Sequence, residues 1–485
     1  MKIATSKCKS RTEFSIISRW IAESVGSSAR KLPPARCKHL IPKSALFWIL
    51  SSVVINLSFC TTGATADNAV SPADKKETPS VSPAKAKSPA AKLQFQVSGR
   101  DLLVVDGSGS KKTFHINEPA SLPINNEIVD LTTGPNGLPT AVLGGSRAAD
   151  MTVLPGSLDA SSVQLKTESG QKLENGKDFK VDSSSGTIEL VAPQTFTKVV
   201  ADYKCWLTRL DTLVVDQAGN LAILEGVPLR SAPLPPAIPA GQKPLANILS
   251  RWCNQPLAAE DVMRITAKLT PPDTDTARNT KVLTPLSQKL KSGQPINLVF
   301  WGDSITAGFC ADPLDKSFPS LVVARLKSQF PTASIEYKVN GFTGRRAKDV
   351  MKQLPEALAT HPDLLVVEFV NDLSTPVRDL NRTYASIVEA CRESQTCLML
   401  VTPHFTDPSM AKAQDWQSIA DNPYIALIHE LGATNDLAVA DVSWRWQHLS
   451  SEGLRADIML VNLLNHPNNR GHEIYAEEIL RCITH

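Results

Sequence analysis

Five short, mostly apolar stretches in the C-terminal part of the chain alternate with amphipathic ones. The apolar runs are "NLVFW", "SIEYKVN", "DLLVVEFV", "CLMLVTP" and "LAVADVS". Between them lie "FPSLVVARLKSQF", "RRAKDVMKQLPEALATH", "VRDLNRTYASIVEACRES" and "DWQSIADNPYIALIHELG", each spaced like a helix with one greasy side. A strand without a polar face must be covered on both sides, and helical crossovers supply that cover in a parallel sheet. The pattern predicts an α/β domain over residues 295–485, a flavodoxin-like doubly wound sheet of five parallel strands. The functional site of such a sheet lies at the carboxyl ends of its strands.

The rest of the chain reads differently. Residues 93–230 carry short alternating runs such as "LQFQVSG", "DFKVDSSSGTIELV" and "DTLVVDQAGNLAILEG", punctuated by Gly, Asn, Asp and Ser. This predicts an all-β module, a sandwich or small barrel, without a visible catalytic or metal-ligand cluster. A stalk or a carbohydrate- or surface-binding unit are its two readings. Residues 231–245 read as a proline-rich linker, and 246–294 as a mostly helical connector. Residues 67–92, rich in Pro, Ala, Ser and Lys, read as a disordered tether. Residues 1–66 combine a basic start with the apolar run "ALFWILSSVVINLSF" and small residues after it, which reads as a signal peptide cleaved after Ala66. Acylation at Cys60 is disfavoured by the bulky Phe59, and an uncleaved anchor would be the only membrane contact. The protein is therefore expected to be secreted, periplasmic or on the cell surface.

The formal net charge of +3 gives no footprint for a nucleic-acid partner. Beyond the signal, Cys205, Cys253, Cys310, Cys391, Cys397 and Cys482 form no C-x-x-C, so no zinc ribbon is suggested. An exported chain could pair them, with Cys391 and Cys397 closest in sequence; buried thiols are the alternative. No metal and no organic cofactor is expected.

Several polar residues stand where the strands end. Ser304 follows the first strand in "GDSITAG", Gly344 follows the second in "NGFTGRR", and Asn371 follows the third in "FVND". His466, in "NHPNNRG", precedes a last helix. Singly, each has a plain explanation: Ser304 or Asn371 caps a helix, Gly344 makes a turn, His466 lies on the surface. Together they place a nucleophile, a base and hydrogen-bond donors at one sheet edge. A serine hydroxyl needs such a base, and the anion it creates needs fixed donors. A helix starting just after Ser304 would further favour an anion there.

In these residues the segment from Pro295 to His485 resembles the SGNH hydrolases, also called GDSL esterases and lipases. Gly302-Asp303-Ser304 matches the first block, Gly344 the second, Asn371 the third and His466 the fifth. The resemblance implies acyl transfer to water, with Ser304 as nucleophile and His466 as base. It also implies an oxyanion hole from the Ser304 and Gly344 N–H groups and the Asn371 side chain. The chain lacks a G-x-S-x-G elbow, which disfavours the other common α/β-hydrolase class.

Two positions depart from the family pattern. Phe369 stands where a glycine is usual, and near the pocket it would shrink the acyl site. Leu463 stands where the family places the aspartate that orients the histidine. The partner of His466 is then Asp441 at the end of the fifth strand, Asp457, or a backbone carbonyl in "NLLN". Glu368 reads as a buried carboxylate, His404 as a pocket-lining candidate and His472 as packing on the last helix. Arg345 and Arg346 could grip an anionic or sugar substrate, or simply be solvated. The expected function is an exported serine ester hydrolase for small acyl esters, such as O-acetyl groups on polysaccharides. The alternatives are a lipase or thioesterase-like enzyme, and a non-catalytic surface-binding protein with a degenerate hydrolase domain.

Overall fold

The computed structural model describes residues 93–148, 153–251, 255–266 and 275–484. The expected signal (1–66) and tether (67–92) lie outside them. In the C-terminal domain five strands, Ile296–Gly302, Ile335–Gly341, Leu364–Glu368, Cys397–Val401 and Ala438–Ala440, pair in parallel throughout. Their spatial order is second, first, third, fourth, fifth, so the chain reverses direction across the sheet beside the first strand. This is the flavodoxin-like doubly wound fold that the apolar runs predict. The inner strands are buried on both faces, whereas the edge strand Ile335–Gly341 keeps exposed positions.

Helices Thr276–Lys291, Phe318–Gln329 and Asn469–Ile483 pack together on one face, and Val377–Glu393 and Pro423–Asn435 cover the other. The helix expected over 345–361 is broken into a 3-10 stretch, Ala347–Gln353, and a short helix, Leu354–Leu358. Pro355 has no N–H to give to the preceding turn but suits the first turn of a new helix.

Strands Gln94–Ser98, Asp101–Val105 and Lys111–His115 form an antiparallel meander. Two further four-stranded sheets, built from Ser121–Trp206, enclose their own core around Leu143, Phe179, Ile188, Val199 and Tyr203. The fourth sheet corrects the expected boundaries. Its order is Leu221–Leu224, Arg209–Val215, Lys243–Ser250, Val262–Arg264, so strands stand where a linker end and helices were expected. The run "LANIL" is apolar enough to suit either period, and its strand partner, Arg209–Val215, is distant in sequence.

This sheet has no polar face. On one side Leu213, Ala246 and Ile248 share a core with Leu102, Val104 and Ile116 of the meander. On the other, Leu210, Leu249 and Met263 belong to the core of the C-terminal domain. Polar bonds reinforce the join: Asn247 Nδ2 donates to the Gly453 carbonyl at 2.9 Å, and Thr266 N to Ser451 O at 2.9 Å. The proline-rich stretch is anchored too. Ser231 Oγ donates to Val461 O at 2.6 Å, and the Ala232 carbonyl accepts from Asn468 Nδ2 at 3.0 Å. Both contacts fall on the loop that carries His466.

Candidate active site

The first strand ends in a crowded turn. A Cβ on Gly302 would lie 2.1 Å from both the Glu368 carbonyl and Thr306 Oγ1, so only glycine lets the neighbouring strand end and the turn close together. Residues after it run through successive hydrogen-bonded turns, with Ala307 N on Asp303 O and Phe309 N on Ser304 O, both at 3.0 Å. The next α-helix begins only at Phe318. The helix dipole expected at Ser304 is therefore absent, and Ser304 is not a helix cap.

Ser304 Oγ lies 3.1 Å from His466 Nε2. The structure thus brings together two residues that stand at different edges of the sequence pattern. The backbone N–H groups of Ser304 and Gly344 are engaged by no other described residue. Gly344 has φ +69°, a left-handed conformation that favours glycine, and a Cβ there would point into open space. Asn371 begins the loop after the third strand and is partly exposed. Its amide nitrogen donates to Asp303 Oδ2 at 3.0 Å and to Arg345 O at 3.2 Å. Asp303 also accepts from Asn371 N and Ile305 N, both at 3.0 Å. Burial pushes the Asp303 carboxyl up to about 7, against the pull of these N–H bonds. Burial, and then repulsion from Asp303, hold the Glu368 carboxyl well above its usual range. Glu368 is fully buried and accepts from Thr306 Oγ1 at 2.9 Å.

The expected role of Asp441 is overturned by its surroundings. Asp441 ends the fifth strand, but it accepts from Thr402 Oγ1 and Trp444 N, and pairs with His429 Nε2 at 3.3 Å. Asp457 is held by Arg455 at 2.8 and 3.0 Å. Neither reaches His466. At 3.1 Å from His466 Nδ1 stands instead the side-chain nitrogen of Asn462. Its orientation is fixed, because Asn462 Oδ1 accepts from the N–H groups of Leu464, Asn465 and His466. Sequence reasoning missed Asn462, since an asparagine four residues before a histidine follows no motif; the triple turn capping is visible only in three dimensions.

Two other expectations, on His404 and Phe369, change. His404 does not line a pocket: it is fully buried between the Tyr475 hydroxyl (2.8 Å) and the Asn465 carbonyl (2.9 Å), and burial lowers its pKa to about 3. It holds the histidine loop. His472, in the last helix as expected, reaches across to the Phe309 carbonyl at 3.0 Å. Phe369 lies in the core, edge-on to Trp301 with ring centres 4.8 Å apart, so it does not shrink the acyl site. Cys391 and Cys397 are separate thiols, pushed up by burial to about 12 and about 11. Among the described residues, no group of three His, Cys, Asp or Glu could hold a metal ion.

A doubly wound α/β domain with a Ser–His pair and two N–H groups that no other described residue engages at its strand ends has the layout of a hydrolase fold. Residues 300–474 match the sequence profile of the GDSL-like Lipase/Acylhydrolase family, and the C-terminal domain is a domain of this kind. Residues 161–270 match a domain of unknown function (DUF4815). No curated protein matches the chain. Among solved structures, the chain is similar to Axe2, an acetylxylan esterase from Geobacillus stearothermophilus. The identity is 20%, over 39% of this chain and 94% of that one, with a TM-score of 0.34. It is also similar to a two-domain esterase (CEX) active on acetylated mannans, at 19% identity over 42% of this chain and 52% of that one, TM-score 0.35. A third is LAE5, an alpha/beta hydrolase enzyme from the metagenome of Lake Arreo, Spain, at 19% identity over 39% and 96%, TM-score 0.34.

His429 lies between Asp275 and Asp441, whose hydrogen bonds raise its pKa from 6.5 to about 9. The charged form is thus favoured by folding. Its stabilising effect is complete below about pH 6.5 and is lost as pH rises through about 9. Thermal melts between pH 6 and 10 should show that loss, and His429→Gln should flatten it. Asn462→Asp keeps the three backbone bonds but sets a carboxylate against Nδ1. The acid limb of the pH–rate profile should then move up by about one unit, read from kcat between pH 5 and 9.

Proposed function

We propose that this protein is an exported serine ester hydrolase acting on small or polar acyl esters, with carbohydrate O-acetyl groups as the natural class. The observation that carries this reading is the 3.1 Å contact of Ser304 Oγ with His466 Nε2 beside the unengaged Ser304 and Gly344 N–H groups. Ser304 Oγ attacks the ester carbonyl and forms the new C–O bond while His466 Nε2 takes its proton. The two N–H groups receive the oxyanion, and Asn371 joins them by exchanging its longer bond to Arg345 O. His466 then gives the proton to the departing alcohol as the old C–O bond breaks. Water repeats the sequence on the acyl-serine.

The cleft beside the donors, about 570 Å³, is lined by Gly344, Arg345, Arg346, Asp349, Asn371 and Ser374. None of these six residues offers an apolar wall to a long acyl chain, which weighs against a lipase. The carbohydrate part rests on the signal-like start and the β-rich region that precedes the domain. The competing reading is a surface-binding protein without turnover.

Turnover of p-nitrophenyl acetate by the full chain separates these readings. Ser304→Ala should remove nearly all activity, and Asn371→Ala should lower kcat by ~10²–10³. Wild-type rates in Ser304→Ala would defeat the mechanism, and an inert wild type would favour the binding reading. For export, N-terminal sequencing of protein from its native host should begin at Asp67; a chain retaining Ala45 to Phe59 in the membrane fraction would overturn it.

A further inference from the structure

Resting on the ester-hydrolase reading, the geometry points to a carboxylate-recognition subsite beside the oxyanion donors, read by Arg345. Three charged side chains line that cleft, Arg345, Arg346 and Asp349. Arg346 Nε is committed to Asp349 Oδ2 at 3.4 Å, and the same carboxylate accepts the Arg346 backbone N–H at 3.2 Å. That pair neutralises itself. The exposed guanidinium of Arg345 makes no hydrogen bond or ion pair with any described residue, so one positive charge in the cleft is uncompensated.

The position of this charge is set by the catalytic layout. Arg345 follows Gly344 directly, and its carbonyl accepts from Asn371 Nδ2 at 3.2 Å. The backbone of Arg345 is thereby tied to two of the three groups assigned to the oxyanion. A guanidinium is a planar fork of donors that matches a carboxylate in two bonds. The substrate class is therefore an ester that also carries a carboxylate near the scissile bond. The charge could sit in the alcohol part, as in an acylated uronic acid, or in the acyl part, as in a half-ester of a dicarboxylic acid.

Three esters given to the full chain distinguish these cases: phenyl acetate, 4-carboxyphenyl acetate and monophenyl succinate. For each anionic ester the quantity read is its kcat/KM divided by that of phenyl acetate. Arg345→Gln should lower this ratio by about 10- to 100-fold for one of the two, the loss expected for a charge-assisted hydrogen bond. The ester that responds shows which part of the substrate bears the charge. Arg345→Lys should restore part of the ratio, and 0.5 M salt should reduce it in the wild type, because the cleft is open to solvent. Unchanged ratios in a folded Arg345→Gln, with phenyl acetate still hydrolysed by the wild type, overturn the subsite and leave the esterase reading standing. A wild type that hydrolyses none of the three overturns both.

Discussion

A single buried carboxylate organises the strand ends. Asp303 has no exposed surface, and it spends its oxygens on Ile305 N, Asn371 N and the Asn371 side chain. These bonds join the turn after the first strand to the loop after the third, so that Ser304 and Asn371 are located by the same group. Leaving such a carboxylate without its donors would cost several kcal/mol. Burial raises both Asp303 and Glu368 and repulsion from Asp303 adds to the rise at Glu368, while hydrogen bonds to each carboxyl oppose it. The resting position of Asn371 follows from this: its amide is held by Asp303 on one side and by the Arg345 carbonyl on the other.

The histidine side is built from different materials. The loop that carries His466 is shaped by Asn462 and Asn465, by His404 behind them, and by Ser231 and Ala232 from outside the domain.

The parallel sheet was legible because its inner strands are buried on both faces, a condition that writes itself into "LLVV" and "CLML" as unbroken apolar runs. Ser304, Gly344 and Asn371 could be picked out for a related reason: the first three strands are neighbours in the sheet, so the residues that follow them converge at one edge. What failed was reasoning from sequence position to partnership. Asp441 does stand at a strand end, but its helix-capping bond to Trp444 N and its pairing with His429 claim it. Phe369 is in the right loop with its ring turned into the core. The strand Lys243–Ser250 was invisible for a topological reason, since its partner Arg209–Val215 lies on the far side of a proline-rich stretch.

That strand has a bearing on how the molecule comes to exist. A chain emerging from its amino end completes the sheet of Arg209–Val215 and Lys243–Ser250 before any of the parallel strands has appeared. Leu210 and Leu249 then wait, uncovered, for a core that is still to be synthesised, and such exposed faces invite misassociation in the interval. The same arrangement limits inheritance. A recombination that lifted residues 275–485 into another gene would leave behind the surface that covers them, so the two parts can be expected to travel through evolution as one unit.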